Sequence, residues 1–174
     1  MTGIIIDVFK DELFAFADGR VTSDDIILTD EDDKIHKLDA NNVVTMVGSA
    51  SLIEPCLDLI RAGTVGQDTI KGIAGDGEVI WLTKQHITVL SFEPSGHGIS
   101  KYKIKSAPMF FGSGTVGLQG AYYALMPEIK VSISRDEYLA IIKLVYKAAA
   151  TRIASMNTLT QTESIKLVKS KVST

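Results

Sequence analysis

The N-terminal segment constrains the fold more than any other part of the chain. Gly3 to Phe9 is an apolar run rich in isoleucine and valine, and Glu12 to Ala17 alternates before it ends at Asp18. β-Branched and aromatic residues favour strands, and the Lys10-Asp11 pair between the two runs favours a tight turn. The sequence therefore predicts a hairpin of two strands that returns Asp18 to the neighbourhood of Thr2.

Thr2 follows the initiator methionine, so removal of Met1 would leave a threonine with both a hydroxyl and a free α-amine. A hydroxyl is a weak nucleophile at neutral pH, but an α-amine with a pKa of about 8 can accept its proton. A nearby Lys34 would stabilise the alkoxide, and Asp18 would keep that lysine charged and oriented. These three residues predict a nucleophile with a built-in base. The alternative is an ordinary chain start with a solvated Asp18–Lys34 pair on the surface.

The order of the segments that follow is similar to that of a known family. Ala17-Asp18-Gly19-Arg20-Val21-Thr22 precedes a polar loop, and Lys34 to Leu38 precedes a predicted strand over Val43 to Val47 that ends in Gly48-Ser49-Ala50. This order resembles the proteasome-like threonine peptidases, and more closely the bacterial peptidase subunit of heat-shock locus V. Both are N-terminal-nucleophile hydrolases. The resemblance covers nearly the whole chain.

The resemblance implies a role for each of several residues. Aligned without gaps, the family's nucleophile falls on Thr2, its acid on Asp18 and its lysine on Lys34, and a serine beside the nucleophile falls on Ser113. The implied oxyanion donor is the N–H of Gly48. An extended peptide would add as a strand between two backbone segments. The residues implied to bind it are Val21, Thr22, Met46, Gly48 and Ala50, with Met46 at the base of the pocket.

The Gly112-Ser113-Gly114 segment has a second interpretation. It follows a predicted strand over 108–111 and precedes a predicted helix over 115–126. The spacing Gly112-x-Gly114-x-x-Gly117 also matches the dinucleotide fingerprint, with Asp136 about twenty residues further on. That fingerprint normally opens an array of alternating strands and helices, and only one further strand is predicted before the long helix. The catalytic interpretation is favoured, with a nucleotide site as the alternative.

Two positions depart from the family pattern. Gly3 stands where many relatives have a second threonine, and we expect this change to matter little to the chemistry. The aspartate that the family carries near the end of its last long helix falls on Thr151. Arg152, Ser155 and Asn157 are polar candidates nearby.

The rest of the chain predicts strands and helices in paired blocks. Strands are predicted over 78–83, 86–92, 101–106 and 164–172, and helices over 50–62, 68–73, 115–126 and 135–154, the last with Ser134 as its N-cap. The order allows two sheets with helices on their outer faces. The predicted fold is therefore α+β, the four-layer αββα sandwich of two antiparallel sheets found in N-terminal-nucleophile hydrolases, in a single domain over 1–174.

Composition narrows the possible functions. A chain of 174 residues with 45% hydrophobic content can bury its own core, and a net charge of -3 argues against a nucleic-acid partner. Neither an apolar run of membrane-spanning length nor a secretory signal is present, so we expect no membrane partner and a cytoplasmic location. The acidic runs at 24–25 and 30–33 are expected to be solvated loops instead of a metal site.

Together these features predict the subunit of a compartmentalised threonine endopeptidase without a metal or cofactor. The resemblance implies a homo-oligomer of two stacked rings that degrades unfolded polypeptides supplied by a separate AAA+ unfoldase. Two alternatives stay open: a catalytically silent, self-assembling scaffold of the same fold, and an N-terminal-nucleophile amidase acting on small amides. The sequence leaves open whether Met1 is removed.

Overall fold

The computed structural model describes residues 3–23, 26–29, 33–126, 132–153 and 156–167. The strands are β1 (Ile4–Phe9), β2 (Glu12–Asp18), β3 (Val21–Ser23), β4 (Ile26–Thr29), β5 (Ile35–Lys37), β6 (Val43–Gly48), β7 (Gly77–Leu82), β8 (His86–Glu93), β9 (Gly96–Lys103), β10 (Met109–Phe111) and β11 (Leu159–Lys166). The helices are α1 (Ile53–Ala62), α2 (Gln67–Ile70), α3 (Thr115–Leu125) and α4 (Arg135–Ala150). In these ranges, no helix combines the length and the apolar character needed to cross a bilayer.

The strands form two main sheets. One has four strands in the order β10-β1-β2-β11, and the other has five in the order β5-β6-β7-β8-β9. Every pairing among the described strands is antiparallel. The predicted N-terminal hairpin is confirmed, with Ile4 opposite Ala17 and Phe9 opposite Glu12. This hairpin supplies the two central strands of the four-stranded sheet.

Apolar side chains pack in three layers between the sheets and helices. One cluster joins the four-stranded sheet to α3 and α4, a second lies between the two sheets, and a third joins the five-stranded sheet to α1 and its neighbours. Along β1, Ile5 contributes to the first cluster, whereas Ile4 and Ile6 contribute to the second. Both faces of β1 are therefore covered, which explains the nearly continuous apolar run. The layers have the predicted αββα order.

A buried carboxylate joins β1 to both helices that cover it. Asp7 is fully buried, and its Oδ2 accepts hydrogen bonds from the hydroxyls of Tyr122 on α3 at 2.6 Å and Tyr138 on α4 at 2.7 Å. Burial, and then the charge of Asp7, raise the pKa of both tyrosines well above the usual value. The two phenols therefore stay protonated and act as donors to Asp7.

Several element boundaries differ from those predicted. The strand predicted over 101–106 corresponds to β9, the last strand of the five-stranded sheet, which begins at Gly96 instead of Lys101, and 104–106 forms a 3-10 turn. The residues at the start of β9 lack a β-branched pattern, and they become a strand because they pair with β8 across a tight turn, with Glu93 opposite Gly96. Helix α4 begins as predicted, with Ser134 as its N-cap, but ends at Ala150.

The closing strand and three short strands also differ from the prediction. β11 begins at Leu159 instead of Ser164, and its predicted end, over 168–172, lies outside the described residues. β3, β4 and β5 were not predicted, because segments of three or four residues are too short to show a clear alternation. β5 begins directly after Lys34, one of the predicted site residues.

Glu12, at the start of β2, connects this strand to α4 and β11. It accepts hydrogen bonds from Arg135 Nε at 3.1 Å, Lys166 Nζ at 3.0 Å and Ser164 Oγ at 2.9 Å. Burial alone would raise the pKa of Glu12, but hydrogen bonds from Arg135, Lys166 and Ser164 together outweigh burial and lower it to about 2. The ionised form of Glu12 therefore stabilises the fold.

We expect the free energy of unfolding to fall as the pH drops from about 4.5 towards 2, because a depressed native pKa stabilises the fold only while the carboxylate is ionised. A shift of this size corresponds to roughly 3 kcal/mol, and solvent screening of the exposed partners reduces it to about 1–2 kcal/mol. Urea unfolding at pH 7 and pH 3 should show this loss in the wild type and a smaller one in Glu12→Gln. Glu54→Gln, at an exposed position of α1, is the control and should behave like the wild type. Equal losses in all three proteins would contradict the assignment.

Candidate active site

Asp18 lies at the centre of the candidate site. It ends β2, is fully buried, and accepts a hydrogen bond from the N–H of Gly3 at 2.8 Å through Oδ1. The same oxygen lies 3.5 Å from Nζ of Lys34, and Oδ2 accepts a hydrogen bond from the N–H of Asn157 at 3.1 Å. One carboxylate thus holds three separate segments together. One of them is Gly3, which is bonded directly to Thr2.

Lys34 is held as firmly as Asp18. Only 3% of its side chain is exposed, and Nζ donates to the carbonyl of Arg20 as well as to Asp18. Its backbone is fixed by Gln161 of β11, whose Oε1 accepts hydrogen bonds from the N–H of Lys34 at 2.8 Å and of Ile35 at 3.0 Å. An ammonium out of water needs partners of this kind. Its charge is therefore fixed in one place.

A cavity of about 1010 Å³ opens beside Lys34. Its lining includes five of the predicted site residues, namely Lys34, Met46, Gly48, Ala50 and Ser113. Carboxylates of Asp33, Asp76, Glu78 and Glu93 also line it. Burial, and then the charge of Glu93, raise the pKa of Glu78. The volume reaches the upper end of the range of about 300–1,000 Å³ that is usual for ligand sites.

At Gly48, the wall of the cavity is formed where the backbones of β6 and β7 approach each other closely. Gly48 has a φ of 102° and lies opposite Gly77 in the β6–β7 pairing, and the next N–H, of Ser49, donates to the carbonyl of Asp76 at 2.8 Å. A Cβ on Gly48 would overlap that carbonyl oxygen and lie 2.6 Å from the Gly77 Cα. The space and the positive φ both require glycine here.

The remaining predicted site residues lie partly or wholly outside the described part of the chain, or away from Asp18. Thr2 lies outside the described residues. Val21 and Thr22 belong to β3, but their side chains are outside the described part of the chain. Thr151 is the C-cap of α4, at an exposed position, and its hydroxyl donates to the Ala148 carbonyl of that helix at 2.7 Å. Asn157 in this late segment contacts the Asp18 carboxylate through its backbone N–H, and Ser155 lies outside the described residues.

Gly3 is more constrained than the sequence suggests. A Cβ there would lie 2.6 Å from the Cε of Met156 and 2.7 Å from a methyl of Leu118. A Cβ on Gly114, in the turn before α3, would overlap the sulfur of the same methionine. A threonine at position 3 would therefore have to displace both side chains. Met156 and Gln161 were not predicted, because nothing in the local sequence distinguishes them from ordinary core and surface residues.

The structure does not support the nucleotide interpretation of the glycine spacing. The strand before the fingerprint, β10, pairs antiparallel with β1 at the edge of its sheet. A dinucleotide site needs a helix that connects parallel strands. Gly117 instead allows α3 to approach Ile153, whose Cδ1 a Cβ would overlap. In the described ranges, no group of three or more His, Cys, Asp or Glu is placed to hold a metal ion, and most of the two acidic runs lies outside those ranges.

Comparison with known proteins places the fold. No family model matches the sequence, and no curated protein matches it. Among solved structures, the chain is similar to eukaryotic HslV from Trypanosoma brucei, with a TM-score of 0.69, 14% identity, and coverage of 95% of this chain and 99% of HslV. It is also similar to Thiobacillus denitrificans BPH in complex with epoxomicin, with a TM-score of 0.64, 15% identity, and coverage of 97% and 100%. A structure of BPH alone gives a TM-score of 0.60 at 16% identity, with coverage of 98% of this chain and 100% of BPH.

These likenesses confirm the predicted fold over nearly the whole chain. The chain has the αββα fold of HslV, which the sequence resemblance implied. At 14–16% identity, the shared feature is the fold. The roles of individual residues therefore have to be argued from the geometry of this chain.

We expect Gly48→Ala to destabilise the protein by about 3 kcal/mol or more, because the new Cβ meets backbone atoms at a strained φ. The matched control is Gly63→Ala at the end of α1, where φ is 66° and no atom lies within 4 Å of the place that the alanine methyl would occupy. Gly63→Ala should lower the free energy of unfolding by only about 1 kcal/mol, which is the cost of placing an alanine in the left-handed conformation. Chemical denaturation of both variants measures the difference, and equal losses would show that the β6–β7 contact can relax.

Proposed function

We propose that this chain is a threonine-type peptidase in which Thr2, once Met1 has been removed, is the nucleophile. The proposal rests on one observation above all. The buried carboxylate of Asp18 contacts both the N–H of Gly3 and the ammonium of Lys34, so it links the residue after Thr2 to a fixed positive charge. The fold shared with HslV supports the same assignment.

Each group of the proposed site has a distinct part in the reaction. The Thr2 hydroxyl adds to the scissile carbonyl while the free α-amine takes its proton. Lys34 stabilises the charge on the attacking oxygen, and the N–H of Gly48 stabilises the charge on the carbonyl oxygen. The proton then passes to the departing amine, and the peptide bond breaks to leave an ester on Thr2. Water hydrolyses the ester and restores the hydroxyl.

Ser113 and the apolar part of the cavity complete the proposed site. Ser113 is exposed at the cavity, in the turn between β10 and α3. The resemblance implies that its hydroxyl lies beside Thr2, where it would exchange protons. Met46 and Ala50 form a wall on which a medium-sized apolar side chain can rest. The backbone around Gly48 on one side and around Val21 and Thr22 on the other would pair with an extended substrate.

The proposed setting is a compartment. The resemblance of the sequence implies two stacked rings of identical subunits and a separate AAA+ unfoldase that delivers unfolded polypeptide. The chain covers 99–100% of the length of its HslV and BPH neighbours, so it includes the whole extent of their folds. A closed compartment would keep folded proteins away from the nucleophile.

The first test of this function is covalent labelling of Thr2. A protein that starts at Thr2 should form a ring adduct with a peptide epoxyketone, because hydroxyl and amine react with the ketone and the epoxide together. A protein that keeps Met1 should not react, because its Thr2 nitrogen is part of an amide. Intact mass before and after incubation measures the adduct, with Thr2→Ala as the matched control.

The possible results of the labelling separate the three candidate functions. Absence of the adduct on the Thr2-starting form would favour the silent scaffold. An adduct on both forms would point to a nucleophile other than Thr2. An adduct together with hydrolysis of small amides but not of peptides would favour the amidase.

The second test concerns the charge of Lys34. We expect Lys34→Met to lower kcat by at least about a hundredfold, the loss typical of removing one preorganised transition-state donor. Lys37→Met is the matched control, because Lys37 lies on β5, is 46% exposed and pairs with Glu163 at the surface. Its kcat should stay close to that of the wild type. Peptide hydrolysis by the two purified variants gives the comparison.

Loss of folding could imitate loss of activity in Lys34→Met, because the variant leaves the Asp18 carboxylate buried without its cation. The double variant Lys34→Met/Asp18→Asn removes both charges and should fold more stably than Lys34→Met alone. It should still be inactive. Appreciable peptide hydrolysis by either variant would refute the role of Lys34.

A further inference from the structure

The hydroxyl of Tyr146 contacts Gly3, the residue bonded directly to Thr2. Tyr146 is fully buried on α4, and its hydroxyl donates a hydrogen bond shared between the carbonyls of Phe16 at 2.7 Å and Gly3 at 3.1 Å. Gly3 also donates its N–H to Asp18 at 2.8 Å. Both polar groups of the residue that follows Thr2 are therefore held by buried side chains.

A third contact limits the movement of Gly3. Its Cα faces Met156 and Leu118 so closely that a Cβ would lie within 2.6 Å and 2.7 Å of their terminal methyls. Asp18, Tyr146 and this apolar wall hold Gly3 from three directions. The direction in which the chain enters β1, and with it the attachment point of Thr2, is therefore set by groups on β2, α3, α4 and the segment after α4.

We propose that Tyr146 is a positioning residue for the N-terminal nucleophile, acting through the carbonyl of Gly3. The proposal rests on the proposed function of Thr2. Since Tyr146 is fully buried, it cannot touch a substrate, and its effect must pass through the backbone. Burial, and then the charge of Asp18, raise the pKa of its phenol well above the usual value, which keeps it a donor.

The spacing of α4 against β1 explains why this contact is rigid. The Tyr138 hydroxyl donates to the carboxylate of Asp7, and the Tyr146 hydroxyl donates to the carbonyl of Gly3. The two tyrosines are eight residues apart on the helix, and their acceptors are four residues apart along the extended chain. Eight helical residues rise about 12 Å, and four extended residues span about 13 Å. The two distances agree, so both hydrogen bonds form at once. A shift of the strand by one residue would break both.

This pair of tyrosines provides a matched experiment. Tyr146→Phe and Tyr138→Phe each delete one buried, hydrogen-bonded hydroxyl from the same helix, and both should lower stability. In the form that starts at Thr2, Tyr146→Phe should lower kcat about tenfold and leave KM within about twofold, because displacement of an attacking group slows chemistry more than binding. Tyr138→Phe should leave kcat within about twofold of the wild type. Equal kcat values for the two variants would overturn the proposal.

Amide hydrogen exchange provides a readout that needs no turnover. Fragment-resolved mass spectrometry should show faster exchange over residues 3–5 in Tyr146→Phe and over residues 6–9 in Tyr138→Phe. Unchanged exchange over residues 3–5 in Tyr146→Phe would overturn the proposal whatever the activity. If the wild type shows no Thr2-dependent hydrolysis but exchange changes as expected, the proposed function fails while the restraint on Gly3 by Tyr146 stands.

Discussion

The contact between Asp18 and Gly3 is the constraint on which the arrangement of the candidate site depends. The carboxylate is fully buried, so its charge must be satisfied by donors that the fold brings to it. Those donors come from the residue before β1, from the residue before β5 and from the segment before β11. Removing one partner of a buried ion pair typically costs about 3–5 kcal/mol. The site and the core are therefore stabilised by the same interaction.

Most of the fold could be predicted from the sequence because its main elements show strong patterns. The runs that became β1 and β2 are apolar at nearly every position, and Ser134 with Glu137 forms the capping box that starts α4. The elements that were missed or misplaced depend on pairing with other strands. β5 is three residues long and β11 is rich in threonine and polar residues, so each becomes a strand only beside its neighbours. Local sequence carries no information about such neighbours.

The part of the candidate site that could be predicted is the part where the proposed chemistry requires a particular residue type. A cation and a carboxylate at Lys34 and Asp18 were expected close together, and the structure places them 3.5 Å apart. The supporting groups were not predictable. Gln161 acts through a side-chain amide on a strand more than one hundred residues away, and Asn157 acts through its backbone N–H, which any residue except proline could supply. The roles of the predicted residues in catalysis stay predictions, since Thr2 lies outside the described residues.

Met156 is a packing partner shared by Gly3 and Gly114, and this sharing affects how the protein can change in evolution. The thioether fills space that a side chain at either glycine would need. A larger residue at position 114 would need a smaller one at position 156, and a larger residue at position 3 would need room from both Met156 and Leu118. We therefore expect positions 3, 114 and 156 to covary, although more than one hundred residues of sequence separate position 3 from the other two. In lineages with a threonine at the position of Gly3, we expect the residue at the position of Met156 to be smaller.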